Sequence, residues 1–371
     1  MSWTFERVFY GRKGGLNLKA VYAYLGQAFY PIPETLFEGY YRAVYRTGDH
    51  DSLYGRISKP FPDALEAQRP LGKFALHLSG GFDSSILAKL YDRPDVDYIH
   101  FTGRDSPKAR ALAATLKGTL HEIQITPELF IREADEMCPL MLEPYAFEDI
   151  VYAYIASKKA KELGHSLVMT GDGGDWVFGG YLVGPNSQLA ADVWKTLEPH
   201  RILGVQTSAP LAHEVLELWS KASLDEKERA FDKAFARRYC QELGMPEEVV
   251  TQRKTPWSGT LGIQQSEMVT RHVESVVDES DYRWIRKFEF VVPPRPQMWF
   301  RQYSLVKWLQ ANYKERLSAK EIEQFTQQAV RISAEERKRA KDARRKELIH
   351  KYCPRRLVGA ARSVKNKIYR A

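Results

Sequence analysis

The sequence predicts an α/β fold in which a parallel sheet with crossover helices is followed by a helical C-terminal part. From Lys73 onward, short apolar runs bounded by turns alternate with helix-like segments, which is typical of a parallel sheet. Two of the apolar runs, Phe74 to Leu78 and Ser166 to Thr170, lead directly into glycine-rich stretches that contain carboxylates. Because ligands bind beyond the carboxyl ends of parallel strands, these two stretches form the candidate functional site.

Composition and charge set the broad class of protein. The chain has 371 residues, of which 44% are hydrophobic, enough for one large domain or two. We find no apolar run near the roughly 18 residues that cross a bilayer, and no signal-peptide pattern, so we expect a cytoplasmic protein that does not contact a membrane. Cys138, Cys240 and Cys353 are scattered, which argues against a zinc site or a disulfide framework.

The first glycine-rich stretch runs from Leu78 to Ser85 and reads LSGGFDSS, between a predicted strand and a helix that begins near Ile86. Free N–H groups at the start of a helix, glycines that allow close approach, and serine hydroxyls together predict a phosphate cradle. Asp83 would repel phosphate unless a divalent cation lay between them, so it is predicted to bind magnesium. The alternative is a tight turn with capping side chains. The predicted phosphate-binding residues are Leu78, Ser79, Gly80, Gly81, Asp83, Ser84 and Ser85.

The next elements are predicted to complete one half of the sheet. A strand over Val96 to Gly103 is followed by a helix over Ser106 to Lys117 and by a third strand from Leu120 to Ile125. The end of the second strand falls at the same edge of the sheet as the phosphate cradle. A nucleotide whose phosphates lay in the cradle would place its adenine near Phe101, Thr102 and Gly103.

The second glycine-rich stretch, Gly171 to Tyr181, follows a predicted helix over Asp149 to Leu163 and the strand that ends at Thr170. Three glycines and two carboxylates would be unfavourable here by themselves, because the glycines cost backbone entropy and the acids repel each other. A cation and a closely packed phosphate remove both objections. We therefore predict that Asp175 and Asp83 hold magnesium, with Thr170 and Gly171 beside the nucleotide. A calcium-like or merely flexible acidic turn is the alternative.

The two motifs together, SGGFDSS and GDGGDxxFGGY, are separated by roughly ninety residues and resemble the synthetase domain of the asparagine synthetase family. This family belongs to the ATP pyrophosphatases, and its relatives include β-lactam synthetases and lasso-peptide cyclases. The resemblance spans roughly residues 23 to 258. It implies an adenine-nucleotide α-hydrolase-like fold, with ATP and Mg²⁺ as cofactors.

The resemblance also implies catalytic residues. The stretch from Arg253 to Gly259 is similar to a late loop of the family in which a lysine reaches the α-phosphate, and Lys254 is the matching position, with Arg253 beside it. Asp172 stands where the family commonly has a glutamate tied to the acyl acceptor and the attacking amine. This shorter acid, and Trp176 in place of another acid, argue against the conversion of free aspartate to asparagine.

The domain organisation follows from the same comparison. Residues 31–39 resemble the segment that joins the two domains of glutamine-dependent asparagine synthetases, but the glutaminase domain expected before it is missing. We expect 1–72 to be a reduced N-terminal region that packs on a synthetase domain at 73–332, with a basic helical tail at 333–371. The aromatic-rich stretch from Trp284 to Trp308 favours core packing over ligand stacking.

These observations predict an ATP-dependent, AMP-forming amide ligase of specialised, natural-product metabolism. It would adenylate a substrate carboxylate, release pyrophosphate and transfer the acyl group to an amine, the substrates being small molecules or peptides. A tRNA-modifying or RNA-binding protein of the same superfamily and a non-catalytic nucleotide-binding homologue are the alternatives. The basic tail is expected to dock on an acidic carrier, a precursor peptide or RNA. Homodimerisation is left open.

Overall fold

The computed structural model describes residues 16–27, 61–66, 68–179, 198–212, 223–225, 232–251, 262–288, 298–313 and 317–352. The predicted site residues Arg253 and Lys254 lie outside these ranges. The strands are β1 (Ala75–His77), β2 (Asp97–Phe101), β3 (Thr119–Ile123), β4 (Leu167–Met169) and β5 (Gln206–Ser208). The helices are α1 (Leu18–Gln27), α2 (Phe61–Glu66), α3 (Phe82–Leu90), α4 (Ser106–Ala113), α5 (Pro127–Met137), α6 (Asp149–Glu162), α7 (Gly174–Val177), α8 (Ala234–Glu242), α9 (Glu247–Val250), α10 (Glu267–Asp278), α11 (Met298–Asn312) and α12 (Ala319–Tyr352).

Within the described residues, five parallel strands form one sheet in the order β3-β2-β1-β4-β5. The chain runs outward from β1 to β3, then returns to the other side of β1 and runs outward again through β4 and β5. The predicted parallel α/β fold is confirmed, and the sheet agrees with an adenine-nucleotide α-hydrolase-like architecture. The strand β5 was not predicted, because it is three residues long and lacks an apolar run.

Both faces of the sheet are covered by helices, and the pleat of the strands divides the side chains between two cores. Leu76, Tyr98 and Met169 enter a core shared with α3, α4, α8 and α9. Their neighbours Ala75, Ile99 and Val168 enter a second core shared with α5, α6 and the C-terminal helices. Successive residues of β1, β2 and β4 are thus buried on opposite faces, as expected for the inner strands of a parallel sheet.

The element boundaries correct the sequence interpretation in one place that matters for the site. Helix α3 begins at Phe82 and not near Ile86, so Asp83, Ser84 and Ser85 lie in its first turns and not in a loop. Gly81 is the extended residue before the helix, with φ −78° and ψ 162°. Asp83 is favourable in the first turn because its negative charge complements the positive end of the helix dipole.

Two other helices also differ from the sequence prediction. Helix α4 ends at Ala113, four residues before the predicted end at Lys117. Helix α5, which was not predicted, starts from Thr126, whose side chain accepts a hydrogen bond from the Leu129 N–H, and has a proline at its first position.

The C-terminal part is helical, as predicted, and its aromatic side chains pack in the core. Trp284, Phe288, Phe300 and Trp308 are all buried, which confirms the packing interpretation. The indole N–H of Trp308 donates to the backbone carbonyl of Met141 at 2.8 Å, which satisfies its polar group inside the core.

One described piece of the N-terminal region, α1, packs in the same core as these aromatic residues. Its Leu25 carbonyl accepts a hydrogen bond of 2.9 Å from buried Arg301 on α11. Helix α12 runs across the predicted boundary at 332/333, and Ile332 and Ser333 are both buried. Of the helices that the structure describes, none is apolar over a stretch long enough to cross a membrane.

Candidate active site

The two glycine-rich stretches lie side by side at the point where the strand order reverses. Strands β1 and β4 are hydrogen-bonded neighbours, with Leu76 opposite Met169, and each leads into one of the stretches. Because the chain leaves these two strands in opposite directions, a crevice opens between the following loops. The sheet therefore brings the predicted phosphate cradle next to the second acidic loop, although about ninety residues separate them in the sequence.

The first loop is a compact network of hydroxyls and N–H groups. The Ser79 and Ser84 hydroxyls are 2.9 Å apart, and the Ser84 hydroxyl also accepts from the Ser79 N–H at 3.1 Å. The Gly81 N–H donates to the Ser79 hydroxyl at 3.2 Å. Gly80 has φ +81°, which favours glycine, and a Cβ there would lie 3.1 Å from the Asp105 carbonyl oxygen. The loop geometry suits a phosphate cradle.

The second loop packs directly on the first turn of α3, and its glycines allow this approach. A Cβ on Gly171 would lie 2.9 Å from the Ser84 nitrogen, too close for a real contact. A Cβ on Gly174 would lie 2.3 Å from the Asp83 Cγ. The second loop therefore needs glycine at these positions because the Asp83 side chain and the α3 backbone occupy the space.

Asp83 and Asp175 meet around a single buried ammonium group, that of Lys233. The Lys233 Nζ donates to the Asp83 Oδ1 and Oδ2 at 2.7 and 2.6 Å, and lies 2.6 Å from the Asp175 Oδ1. The side chain of Lys233 is 3% exposed, whereas those of the two aspartates are 24% and 22% exposed. Burial lowers the pKa of Lys233, but the two carboxylates outweigh it, and the net pKa lies above the ordinary value. The lysine is therefore charged.

Sequence reasoning missed Lys233. It lies in an amphipathic run next to α8, where a lysine is ordinarily a solvated side chain. Its backbone has φ 54° and ψ 53°, and among the described residues it is the sole non-glycine residue with positive φ. Left-handed backbone in a residue with a Cβ is strained and is found preferentially at functional sites. No local sequence pattern indicates the role of Lys233, because its partners Asp83 and Asp175 lie 150 and 58 residues away in the chain.

The residues present fit a magnesium site of the kind that is completed by substrate. Two carboxylates lie within reach of one cation, and no group of three or more potential ligands occurs among the described residues. Mg²⁺ is commonly bound in this way, through one or two carboxylates plus phosphate oxygens and water. The hydroxyls of Ser85 and Thr170 are buried without a hydrogen-bond partner in the part of the chain that the structure describes, which is unusual away from ligand sites.

At the predicted adenine end of the site, the Phe101 ring and the backbone N–H groups of Thr102 and Gly103 already have partners within the protein. Phe101 is 4% exposed, and its ring packs against Tyr152 in the core. The N–H of Thr102 donates to the Ile123 carbonyl at 2.9 Å, and the Gly103 N–H donates to the Ser106 hydroxyl at 2.8 Å. The role of these three residues next to adenine stays a prediction.

A buried histidine, His100, ties the cradle to this end of the site and was not predicted. Its Nδ1 is 2.8 Å from the Leu78 carbonyl oxygen, and its Nε2 is 2.9 Å from the Ser106 hydroxyl. Because a carbonyl can only accept, Nδ1 carries the proton and Nε2 accepts from the serine, which assigns a neutral ring. Burial lowers the pKa of His100 and outweighs the nearby carbonyl and carboxylates that raise it. The ring thus links the chain at the end of β1 to β2 and to the start of α4, without adding charge near the predicted phosphate cradle.

The predicted catalytic residues are placed less completely. Asp172 lies between Gly171 and Gly173 in the second loop and is partly exposed. The described chain stops at Thr251, three residues before Lys254. The end of α9 is held close to α3, because Arg237 donates to the Val250 carbonyl and its guanidinium lies 5.2 Å from the centre of the Phe82 ring. The catalytic roles of Asp172, Arg253 and Lys254 stay predictions.

Comparison with known proteins gives a match to a family model and a weak likeness to a solved structure. Residues 62–229 match the model of the asparagine synthase family. No curated protein sequence is significantly similar to it. The structure of NMN synthetase from Francisella tularensis is 13% identical, with 73% of this chain and 98% of that chain covered and a TM-score of 0.30. This last likeness is too weak to bear on function.

Gly174→Ala is expected to disrupt the site, because its Cβ would collide with Asp83 and push that carboxylate away from Lys233. We expect a loss of about 1–3 kcal/mol in the free energy of unfolding, together with weaker binding of an ATP analogue. Chemical denaturation and titration calorimetry measure the two effects. Gly72→Ala is the matched control, since a Cβ at Gly72 meets nothing within 4 Å. Equal behaviour of the two variants would contradict the close approach.

The neutral His100 gives a second prediction. Its pKa is lowered in the folded protein, so between that value and the ordinary pKa of about 6.5 the unfolded chain binds more protons. The free energy of unfolding should therefore fall as the pH falls below about 6.5. His100→Asn keeps a donor and an acceptor but does not titrate, so its decline with pH should be smaller. Urea denaturation above and below this pH tests it, and parallel declines in both proteins would rule it out.

Proposed function

We propose, from the match of residues 62–229 to the asparagine synthase family model, that this chain is an ATP-dependent, AMP-forming amide ligase. The family supports the broad class, an ATP-dependent ligase or amidotransferase. The observation that carries the finer proposal is the meeting of Asp83 and Asp175 around one cation beside the serine cradle. Such an arrangement suits an enzyme that holds the β- and γ-phosphates of ATP and releases them together as pyrophosphate.

In this proposal, the cradle binds the part of ATP that leaves. The N–H groups at the start of α3 and the hydroxyls of Ser79 and Ser84 bind the β- and γ-phosphates, favoured by the helix dipole. Asp83 and Asp175 hold Mg²⁺, which when bound neutralises charge on the departing pyrophosphate. Adenine extends toward residues 101–103, and the α-phosphate lies at the mouth of the crevice. The α-phosphorus is then open to a second substrate.

The chemistry runs in two steps. An oxygen of the substrate carboxylate attacks the α-phosphorus, the bond to the β-phosphate oxygen breaks, and pyrophosphate leaves. Lys254, with Arg253 beside it, stabilises the negative charge that develops on the α-phosphate oxygens. An amine then attacks the acyl carbon, the bond to AMP breaks, and Asp172 accepts the proton that the nitrogen loses. We propose that the amine belongs to a specialised, natural-product substrate.

The described structure supports this role for Lys254 through its neighbours in the chain. Helices α8 and α9 pack in the same core as α3, and Arg237 contacts both Phe82 and Val250. Val250 is four residues before Lys254. The chain thus leaves α9 beside the first turn of α3 as it approaches the stretch that contains Lys254, which supports the proposed contact with a phosphate above that turn.

An enzyme that acts on RNA is the second candidate, and one feature of α12 favours it. Lys338, Arg339 and Lys341 are exposed on this helix, beyond the part that packs in the core. Phosphate backbones bind such surfaces through charge. Under this candidate, RNA would stimulate ATP cleavage. The acidic carrier, the precursor peptide and the homodimer also stay predictions.

The test is a screen for pyrophosphate and AMP release against panels of carboxylates and amines, with and without RNA. Once a carboxylate supports turnover, Asp83→Ala and Lys254→Ala should each lower the rate by at least about 100-fold. The reason is that Asp83 is proposed to hold the metal and Lys254 to stabilise the transition state. Mass spectrometry of the products identifies the new amide.

The controls replace the same residue types at exposed positions. Asp63→Ala on α2 and Lys320→Ala on α12 should leave the rate unchanged, because both side chains are exposed to solvent and neither belongs to the site. Release of ADP and phosphate in place of AMP and pyrophosphate would refute the proposal. Turnover that required RNA and no free amine would favour the second candidate.

A further inference from the structure

The ammonium of Lys233 and a divalent cation would have to share the same oxygens. Lys233 contacts both oxygens of Asp83 and the Oδ1 of Asp175, at distances between 2.6 and 2.7 Å. Magnesium binds carboxylate oxygens at about 2.1 Å. The distance from each of the three oxygens to the central point would need to shorten by only about half an ångström for an ion to bind where the nitrogen lies.

These three contacts use every donor that the lysine has. An ammonium group carries three N–H bonds and no acceptor, and each of the three oxygens takes one. Lys233 therefore cannot donate to a phosphate while it holds all three carboxylate oxygens. It must release at least one carboxylate oxygen before it can contact a nucleotide.

The two positive groups cannot remain together between the aspartates. A divalent ion at the midpoint of the carboxylates would lie in direct contact with the ammonium, in a pocket where Lys233 is 3% exposed and solvent screens little. Moving the ammonium out into the pocket wall would leave it buried and unpaired. A phosphate supplies the missing partner, because its oxygens accept from a lysine and also bind the metal.

We infer that Lys233 is a positioning residue that keeps free divalent cations out of the metal site. It leaves the two aspartates only when a metal arrives together with its nucleotide. The inference rests on the proposed function in that the ligand is a nucleotide polyphosphate. The inference goes beyond that function, because it also specifies the order in which metal and nucleotide bind. Metal and nucleotide enter as one complex, and the ammonium passes from the carboxylates to the phosphates.

The decisive measurement is metal binding in the full chain without nucleotide, with Mn²⁺ as the probe, followed by electron paramagnetic resonance. In the wild type, Mn²⁺ should stay free until a non-hydrolysable ATP analogue is added. Lys233→Met keeps the length of the side chain and removes the charge, so it should bind Mn²⁺ without nucleotide at least about tenfold more tightly than the wild type. The double variant Asp83→Asn/Lys233→Met should lose this binding, which localises the ion to the pair.

A second measurement uses the wild type alone, in case Lys233→Met does not fold. Thermal unfolding with Mn²⁺, with the analogue and with both should show that Mn²⁺ by itself leaves the melting temperature unchanged and that the pair raises it, because a ligand stabilises the state that it binds. Stabilisation of the nucleotide-free wild type by Mn²⁺, or equal Mn²⁺ affinity in the wild type and Lys233→Met, would overturn the inference.

This outcome is separable from that of the ligase proposal, because no turnover is needed. A protein that bound Mn²⁺ only together with nucleotide but formed no AMP would contradict the ligase and leave the inference standing. A protein that formed AMP but bound Mn²⁺ tightly without nucleotide would contradict the inference and leave the ligase proposal standing.

Discussion

The structure depends on one electrostatic constraint, the buried ammonium of Lys233 between Asp83 and Asp175. The three side chains come from the first turn of α3, from α7 and from the residue before α8, so three separate parts of the chain meet at one charge. Two neighbouring carboxylates repel each other unless a cation lies between them. The cation makes their approach favourable and thereby holds the β1 and β4 loops together at the point where the sheet order reverses.

The glycines of the second loop follow from the same constraint. Asp83 can turn toward Lys233 only if the chain opposite has no side chain in its way, and a Cβ at Gly174 would overlap the Asp83 carboxyl. Gly173 adds a second requirement, because it has φ +89° and a Cβ there would lie 2.4 Å from Ala212. What looks in the sequence like a flexible, glycine-rich loop is a tightly packed segment. Its glycines exist for contact and not for motion.

Sequence reasoning found the elements whose signal is local and missed those that depend on distant residues. The strands before Ser79 and Gly171 are short apolar runs that lead into glycine-rich stretches. Their type and their shared edge could therefore be predicted. The start of α3 was placed too late because Asp83, Ser84 and Ser85 resemble turn residues as much as a first helical turn. Lys233 and His100 gave no signal, because each acquires its role from partners that only the sheet brings near.

The charge of the site gives a physical reason why a nucleotide site built this way needs a metal. Two aspartates and one lysine leave the centre with one net negative charge, close to where a triphosphate with several negative charges would have to bind. Helix dipole and hydroxyl donors act against that repulsion but carry no full charge. In the proposed function, a divalent cation would reverse the sign of the centre and would free the lysine to add its own charge on the phosphate side. The same three residues would then repel a bare triphosphate and accept one that carries its metal, so that the metal is part of what the proposed site recognises.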